Sequence, residues 1–387
     1  MIPAVERFTL KIQSRRRFTS VTGVALVGTL ALAACGSDNN APATPGGSGD
    51  TSSSTTNAAD CPTGTLNGEG SSAQKNAIEE AIRTFQQKCS EATVNYAATG
   101  SGAGIKQFIA GQVGFGGSDS ALKTKEKDGK IEADEAAKAC GSPAWNLPMV
   151  TGPVAFTYNL KGVDKLIITP EVAAKIFNGV ITKWNDPAIK KINAGATLPD
   201  MAIKVFFRSD ESGTTDNFTK WLSAAAPSVW TAESGKKWTG KGEGKAQSTG
   251  VATAVKDTEG GVTYAEWSFA KDNNLGIAQI DNGGGPVELS AESVGKAVAT
   301  AKQVGEGNDL SLKLDYATKE AGAYPVLLVT YEIVCSKAKD PSKVALTKAF
   351  LKHFSSPETQ KSLEGIGYAP LPAEVETKVA AAIDALS

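Results

Sequence analysis

The feature that most constrains the fold of this 387-residue chain is a junction that occurs four times: a strand, a turn of glycine and hydroxyl residues, and the start of a helix. In the second junction, Ile105, Phe108 and Ile109 follow the turn at the spacing of one helical face. This alternation of strand and helix is typical of an α/β architecture. The four turns are GEGSS (68–72), TGSGAG (99–104), GGSDS (116–120) and RSDESGTTD (208–216).

Junctions of this kind suit the binding of an anion. The first backbone N–H groups of a helix have no intrahelical partner and carry about half a positive charge, so a glycine-rich turn lets an oxyanion approach them. The fourth junction adds the fixed charge of Arg208. Ordinary helix capping is the alternative, since Ser71 with Gln74 fits a capping box. Four junctions in one chain, one with an arginine, favour an anion site.

Two nucleotide-binding motifs are excluded. Gly68, Gly70 and Ala73 match a loose dinucleotide fingerprint, but the next strand lacks the acidic residue that would hold a ribose hydroxyl. The segment GKKWTGKG (235–242) approaches a P-loop, yet it places Gly242 where Ser or Thr would bind magnesium. Neither motif therefore supports a nucleotide site.

Residues 1–35 predict an export signal. A basic region precedes the apolar stretch 21–34, which is shorter than the roughly 20 residues of a membrane span. The stretch ends in LAAC (32–35), which resembles a lipobox and predicts that Cys35 becomes a lipidated N-terminus. The arginine-rich basic region leaves open whether export follows the general secretory or the twin-arginine route. Residues 36–60 contain no large apolar residue and predict a flexible linker.

Charge balance and histidine content exclude several classes of protein. The chain has 40 Lys and Arg against 41 Asp and Glu, so no net positive field favours nucleic acid. Its single histidine, His353, falls in a helical pattern and is predicted to lie on the surface of that helix. A histidine-based catalytic triad or histidine-rich metal site is therefore not expected, and we predict no enzyme activity, no cofactor and no metal.

Four cysteines follow Cys35, and an even number in an exported chain predicts disulfide bonds with three possible pairings. Cys61 precedes the first predicted strand, and Cys89 ends the helix that follows it. Both positions lie at the same edge of an α/β layer. This favours Cys61–Cys89 and leaves Cys140–Cys335 as the second pair.

With these motifs, the chain resembles the phosphate-specific periplasmic-type binding proteins, the extracytoplasmic receptors of the phosphate ABC importer. The resemblance covers essentially all of residues 61–387, and SGAGIKQ (101–107) and RSDESGT (208–214) are specific for that family. Further matching segments are GEGSSA (68–73), GSD (117–119), GPVAFTYNL (152–160), ITKWNDPAIKKIN (181–193), GGVTYAEWSFA (260–270), YPVLLVTYEIV (324–334) and GYAPLP (367–372).

The resemblance implies a two-domain type II periplasmic-binding-protein fold of the α/β class, with crossover hinge strands and the ligand cleft between the domains. Domain I is expected at residues 61–158 plus 331–387, and domain II at 159–330. The implied partners are inorganic phosphate, an ABC permease with its ATPase subunits, and the membrane through the lipid anchor. The chain is expected to be a monomer.

The family's phosphate site falls, position by position, on the four junctions. Many members have Phe where this chain has Ala73, but only the backbone of that residue is expected to bond the ligand. Asp210 is expected to pair with Arg208 from behind. The implied phosphate ligands are Ser72, Ala73, Ser101, Asp119, Arg208, Ser212, Gly213 and Thr214.

Asp119 is expected to discriminate between anions. A carboxylate only accepts hydrogen bonds, so it requires a ligand that still carries a proton. Both HPO4 and H2PO4 ions carry one at neutral pH, whereas sulfate does not. The implied function is therefore high-affinity phosphate capture outside the cytoplasmic membrane and delivery to an importer. The alternatives are a cell-surface phosphate sensor or adhesin, a secreted phosphatase, and a sulfate or molybdate receptor of similar fold.

Overall fold

The computed structural model describes residues 61–126 and 129–387. The export signal, Cys35 and the linker predicted for residues 1–60 lie outside this range. None of the described helices is both long and apolar enough to traverse a membrane. Within the same ranges, no group of three or more His, Cys, Asp or Glu side chains could hold a metal ion.

Strands and helices alternate along the chain. The strands are β1 Gly64–Gly70, β2 Ala92–Ala97, β3 Phe115–Ser118, β4 Ala144–Tyr158, β5 Ile167–Ile168, β6 Lys204–Arg208, β7 Glu243–Lys245, β8 Gly261–Glu266, β9 Gly276–Ile277, β10 Gln279–Ile280, β11 Lys302–Gln303, β12 Leu312–Lys313 and β13 Leu327–Cys335. The helices are α1 Lys75–Lys88, α2 Ser101–Ile109, α3 Glu132–Cys140, α4 Pro170–Phe177, α5 Pro187–Ile192, α6 Gly213–Ala225, α7 Gln247–Lys256, α8 Trp267–Asp272, α9 Ala291–Val298, α10 Val344–Phe354, α11 Pro357–Ile366 and α12 Ala373–Asp384.

One mixed sheet connects most of the strands, in the order β2-β1-β3-β13-β4-β8-β6-β7, with β9 beside β4. Strands β1, β2 and β3 are parallel at one end, and β6, β7 and β8 are parallel at the other. The antiparallel strands β13 and β4 lie between these two groups. The sheet therefore has two groups of parallel strands, and the strands of each group have their carboxyl ends at the same edge.

Strand β4 belongs to both parts of the sheet. Its residues 144–153 pair with β13, whereas Val154–Tyr158 pair with β8. The segments GPVAFTYNL (152–160) and YPVLLVTYEIV (324–334), which match the family in sequence, overlap with β4 and β13. A single continuous strand therefore connects the two halves through its backbone.

Two large hydrophobic cores lie along this sheet. One contains Phe85 of α1 and Phe350 of α10, packed edge to face with ring centroids 5.6 Å apart. The other contains Phe218 of α6 stacked on Tyr264 of β8, with centroids 4.5 Å apart, and also Trp184 and Trp221. Burial of such large aromatic side chains stabilises both cores. The domain boundaries given above stay predictions.

Two predicted features differ from the structure. The third junction does not lead into a helix, because β3 ends at Ser118 and α3 begins only at Glu132. The Ser118 hydroxyl donates to the Ser120 carbonyl and accepts from its N–H group, a local turn that competes with helix formation. His353 is half-buried rather than on the surface, since α10 packs on α1 and brings its Nε2 to 2.7 Å from Thr84 Oγ1.

Disulfides join Cys61 to Cys89 and Cys140 to Cys335, the same pairs that the cysteine positions favour. The first pair fixes the start of the described chain to the end of α1. The second pair links the end of α3 to the end of β13 across a sequence separation of 195 residues, against 28 for the first.

Removal of the longer-range disulfide is expected to destabilise the protein more than removal of the shorter one. Replacing Cys140 and Cys335 by serine should lower the free energy of unfolding by about 2–4 kcal/mol, because the unfolded chain regains the entropy of the longer closed loop. Urea denaturation of this double variant, beside the matched Cys61→Ser, Cys89→Ser pair, tests the difference. A larger loss for the shorter loop would contradict the entropic explanation.

Candidate anion-binding site

The predicted junctions meet because they follow the carboxyl ends of parallel strands. Ser72 follows β1, Ser101 follows β2 and Asp119 follows β3, while Arg208 is the last residue of β6 and Thr214 is the second residue of the helix after it. In open α/β sheets, ligands bind at the carboxyl ends of the strands. The topology therefore places side chains from distant parts of the chain around one point.

Arg208 provides a buried positive charge. Its side chain is only 2% exposed, and that of Asp210 is 16% exposed. Nε of Arg208 donates to Asp210 Oδ1 at 2.8 Å and Nη2 donates to the other oxygen. Burial alone would raise the pKa of Asp210, but the hydrogen bonds and charge of Arg208 hold that pKa below its ordinary value. Asp210 is therefore ionised beside Arg208.

The remaining guanidinium nitrogen of Arg208, Nη1, is directed toward hydroxyl groups. It lies 3.4 Å from Thr214 Oγ1 and 3.2 Å from Ser248 Oγ. Because Asp210 takes the Nε and Nη2 donors, Nη1 is the part of the guanidinium that faces the other junctions. An arginine held in this way presents a fixed charge at low entropic cost.

Asp119 is buried among hydroxyl donors. Its Oδ1 accepts from Ser71 and, at 2.9 Å, from Thr330. Its Oδ2 lies 3.3 Å from both Ser101 Oγ and Thr214 Oγ1. Burial raises the pKa of Asp119, and the hydroxyl donors offset part of this effect. Oδ1 is thus held by Ser71 and Thr330, which are not among the predicted ligands. Oδ2 instead lies beside two predicted ligands, Ser101 and Thr214.

The start of α6 approaches Asp119 closely because residue 213 is a glycine. The Gly213 N–H group donates to Ser101 Oγ at 3.2 Å. A Cβ atom at this position would lie 2.5 Å from Ser101 Oγ and 2.6 Å from Asp119 Cβ, closer than carbon atoms approach in proteins. Ser212 caps the helix by accepting from the Thr215 N–H at 3.2 Å, and its own N–H donates to the Lys236 carbonyl.

The first junction differs from the capping box that Ser71 and Gln74 suggest. Helix α1 begins at Lys75, and the Ser71 hydroxyl donates to Asp119 while it accepts from the Ala73 N–H at 3.1 Å. The Gln74 side chain donates to the Tyr96 hydroxyl instead of reaching back to the backbone. Only half of the capping box is therefore present: Ser71 Oγ also accepts from the Gln74 N–H at 3.4 Å, but the reciprocal bond is absent and Ser71 supports Asp119 as well.

The structure brings most of the predicted ligands together. Ser101, Asp119, Arg208, Gly213 and Thr214 are linked by the hydrogen bonds given above, and Ser72 joins them through Ser248. The backbone N–H of Ala73 and the hydroxyl of Ser212 lie at the same junctions, but their hydrogen bonds stay within their own elements.

Three members of this cluster are missed by the sequence interpretation: Ser71, Ser248 and Thr330. Ser248 could have been found, because KAQSTGV (245–251) repeats the pattern of a strand, a turn of small residues and a helix. Thr330 lies inside the continuous apolar strand β13, where no local signal distinguishes it from a core residue.

A second buried carboxyl group lies behind the site. Glu332 of β13 is fully buried, and neither of its carboxyl oxygens has a hydrogen-bond partner among the described residues. Burial, together with the nearby charge of Asp119, raises the pKa of Glu332 to about 8. The raised pKa favours the protonated form of Glu332 in the folded protein at neutral pH.

This buried carboxyl is expected to make stability depend on pH. Between about pH 5 and pH 8, the folded state holds a proton on Glu332 that the unfolded chain has lost, so stability falls as pH rises. Glu332→Gln should remove this contribution and should be more stable than the wild type at pH 8 by on the order of several kcal/mol, since one pKa unit corresponds to about 1.4 kcal/mol. Urea denaturation at pH 5, 7 and 8 tests this, and parallel pH profiles for the two proteins would contradict it.

Comparison with known proteins identifies the family of this chain. The PBP superfamily domain matches residues 55–358. Phosphate-binding protein PstS 3 of Mycobacterium tuberculosis is 45% identical over 96% of this chain and 99% of its own length. PstS of Xylella fastidiosa is 33% identical over 74% of this chain and 76% of its own.

Solved structures share the fold. A periplasmic phosphate-binding protein, PfluDING, solved with bound phosphate, superposes with a TM-score of 0.65 at 20% identity, over 82% of this chain and 93% of its own. A phosphate-binding protein of Stenotrophomonas maltophilia also gives 0.65, at 18% identity over 82% and 94% of the two chains. The α/β fold is thus that of the periplasmic binding proteins. The chain belongs to the PBP superfamily and, within it, to the family of PstS phosphate-binding proteins.

Proposed function

We propose that this protein is a non-catalytic receptor that binds inorganic phosphate outside the cytoplasmic membrane and delivers it to an ABC importer. The observation that carries the proposal is the convergence of Arg208 and Asp119 on one hydroxyl, Thr214 Oγ1, at 3.4 and 3.3 Å. A fixed cation and a proton-accepting carboxyl group in one buried cluster match an anion that carries both negative charge and a proton.

The ligand set proposed for phosphate is the one implied by the family resemblance. Ser72, Ser101 and Thr214 supply hydroxyl donors, and Gly213 and Thr214 supply N–H groups from the first turn of α6. Arg208 supplies charge through Nη1. The Ala73 N–H and the Ser212 hydroxyl complete the set after small rotations at their junctions.

Asp119 selects the ligand through Oδ2. Its other oxygen is held by Ser71 and Thr330, so the carboxyl group cannot turn away from a bound anion. Oδ2 then accepts the proton of HPO4 or H2PO4. Sulfate would bring a charged oxygen against Oδ2 with no proton between them, which leaves two acceptors facing each other in a buried site.

The proposed mechanism of capture is the closure of two halves of the protein around the anion. The halves are domain I, residues 61–158 plus 331–387, and domain II, residues 159–330. Contacts across the proposed cleft support closure: the Gly102 N–H donates to the Glu211 carbonyl at 2.9 Å, and Lys236 pairs with Glu132 at 2.8 Å. The two strands that cross between the halves would act as the hinge.

Lipidation of Cys35 would anchor the chain at the outer face of the cytoplasmic membrane, where residues 36–60 would act as a tether. The permease and its ATPase subunits are the proposed partners, and the receptor is proposed to act as a monomer. Labelling with a radioactive fatty acid tests the anchor, since Cys35→Ser should abolish incorporation of the label.

A secreted phosphatase is the competing class. The side chain of His353 contacts Thr84, Thr359 and Phe85, and these residues do not belong to the cluster around Asp119. Incubation of the protein with a generic phosphate ester separates the two classes, because a receptor releases no phosphate from it. Release at a steady rate, lost in Arg208→Ala, would favour the enzyme.

Transport is tested most directly in cells. A strain that lacks this chain is expected to take up less labelled phosphate at micromolar concentrations, and expression of the wild-type chain should restore uptake. The Arg208→Ala chain should be present at the same level without restoring it. Normal uptake in the deletion strain would favour a sensor or adhesin.

A further inference from the structure

Ser248 lies in the first turn of α7, directly after β7, at a fifth junction between a strand and a helix. Its side chain is fully buried. Its Oγ lies 3.2 Å from Arg208 Nη1 and 3.2 Å from Ser72 Oγ, and its N–H donates to Ser72 Oγ at 3.0 Å. Ser248 therefore contacts proposed ligands from two other junctions.

The hydrogen-bonding capacity of these groups indicates where donors converge. The guanidinium only donates, so Ser248 Oγ accepts from Arg208 and directs its own proton elsewhere. Ser72 Oγ already accepts from the Ser248 N–H, and one proton lies between the two hydroxyls, 3.2 Å apart, until an anion oxygen replaces that contact. An anion oxygen placed against these three groups would accept from two hydroxyls and from Arg208.

The position of Ser248 is coupled to that of Arg208. Gln247, the residue before it, adopts a φ of 63°, a region that residues other than glycine rarely occupy. Its N–H donates at 2.8 Å to Asp210 Oδ1, the same oxygen that accepts from Arg208 Nε. Asp210 thus fixes both the guanidinium and the start of α7. Unusual backbone held by a specific contact is typical of functional sites.

We propose that Ser248 is a further ligand of the bound anion, and that its hydroxyl donates to a phosphate oxygen beside Ser72 and Arg208. This inference rests on the proposed function, because it adds a ligand to the same site. A hydrogen bond to a charged group contributes enough that loss of the hydroxyl should weaken phosphate binding about tenfold to a hundredfold.

Titration of the purified protein with inorganic phosphate tests the proposal with two variants. Ser248→Ala removes the hydroxyl but keeps the N–H bond to Ser72. Thr249→Ala is the matched control, because Thr249 is the next residue of α7 and is exposed. We expect about tenfold to hundredfold weaker binding for Ser248→Ala and wild-type affinity for Thr249→Ala. The melting temperature measured without phosphate should equal that of the wild type for Thr249→Ala and fall by a few degrees for Ser248→Ala, whose hydroxyl contacts Ser72 and Arg208.

Wild-type affinity in Ser248→Ala would overturn the proposal and leave the proposed function intact. Ser248→Thr provides a second test, since it retains a hydroxyl and should bind within a few-fold of the wild type. Binding by Ser248→Thr as weak as that of Ser248→Ala would show that the hydroxyl is not the cause, and would also overturn the proposal. Absence of phosphate binding by the wild type would instead contradict the proposed function itself.

Discussion

Replacement of Arg208 by alanine is expected to weaken phosphate binding by about a thousandfold. The variant loses charge-assisted hydrogen bonds in a buried site, each worth about 1.5–3 kcal/mol. It also leaves Asp210 without its partner, so a carboxylate that Arg208 now neutralises would repel the anion. Isothermal titration with phosphate measures the loss.

Two further variants separate the geometry of Arg208 from its charge. Arg208→Lys keeps a positive charge but cannot hold Asp210 through two nitrogens while a third faces the ligand, so intermediate affinity is expected. Arg83→Ala is the matched control, because Arg83 is an exposed arginine that pairs with Glu80 on α1. If Arg208→Ala and Arg83→Ala both bound phosphate with wild-type affinity, Arg208 would not be a ligand of the anion.

Replacement of Asp119 by asparagine is expected to abolish discrimination between phosphate and sulfate. The amide oxygen can take the place of Oδ1 and accept from Ser71 and Thr330, which leaves the amide nitrogen in the place of Oδ2. A donor then faces the anion where the wild type has an acceptor. A site built to make one specific hydrogen bond binds an analogue that cannot make it roughly 10⁴–10⁵-fold more weakly. In Asp119→Asn, most of this preference for phosphate over sulfate should be lost.

The measurement is a pair of titrations, with phosphate and with sulfate, on the wild type and the variant. Phosphate should bind more weakly to Asp119→Asn, and sulfate should bind detectably for the first time. Asp200→Asn, at an exposed ion pair with Lys183, serves as the control and should change neither affinity. An unchanged ratio of the two affinities in Asp119→Asn would mean that another group provides the selectivity.

Much of the fold could be predicted because its signals are local. The turns after β1, β2 and β6 and the helices that follow them are visible in the spacing of apolar and small residues, and so is the position of Arg208. The third junction was misjudged because Ser118 and Ser120 form a turn that satisfies the backbone groups a helix would use. Local propensity alone does not distinguish these two outcomes.

The supporting residues of the site could not be predicted, because long-range pairing determines their role. Thr330 reaches Asp119 only because β13 lies antiparallel beside β3, with Tyr331 opposite Ser118. Ser71 looked like a helix cap until the pairing of β1 with β3 brought it to Asp119. The burial of His353 is not visible in its own helical pattern, because its partner, Thr84 of α1, lies almost 270 residues earlier in the chain.

Calorimetric titration of the purified protein, freed of bound anion, with phosphate and then with sulfate tests the central claim most directly. We predict tight one-to-one binding of phosphate and no heat change with sulfate. Binding of both anions with similar affinity would be consistent with an anion receptor but would contradict the role proposed for Asp119. Binding of neither would contradict the account, because a protein of this fold would then use its buried Arg208 and Asp119 for a purpose other than phosphate capture.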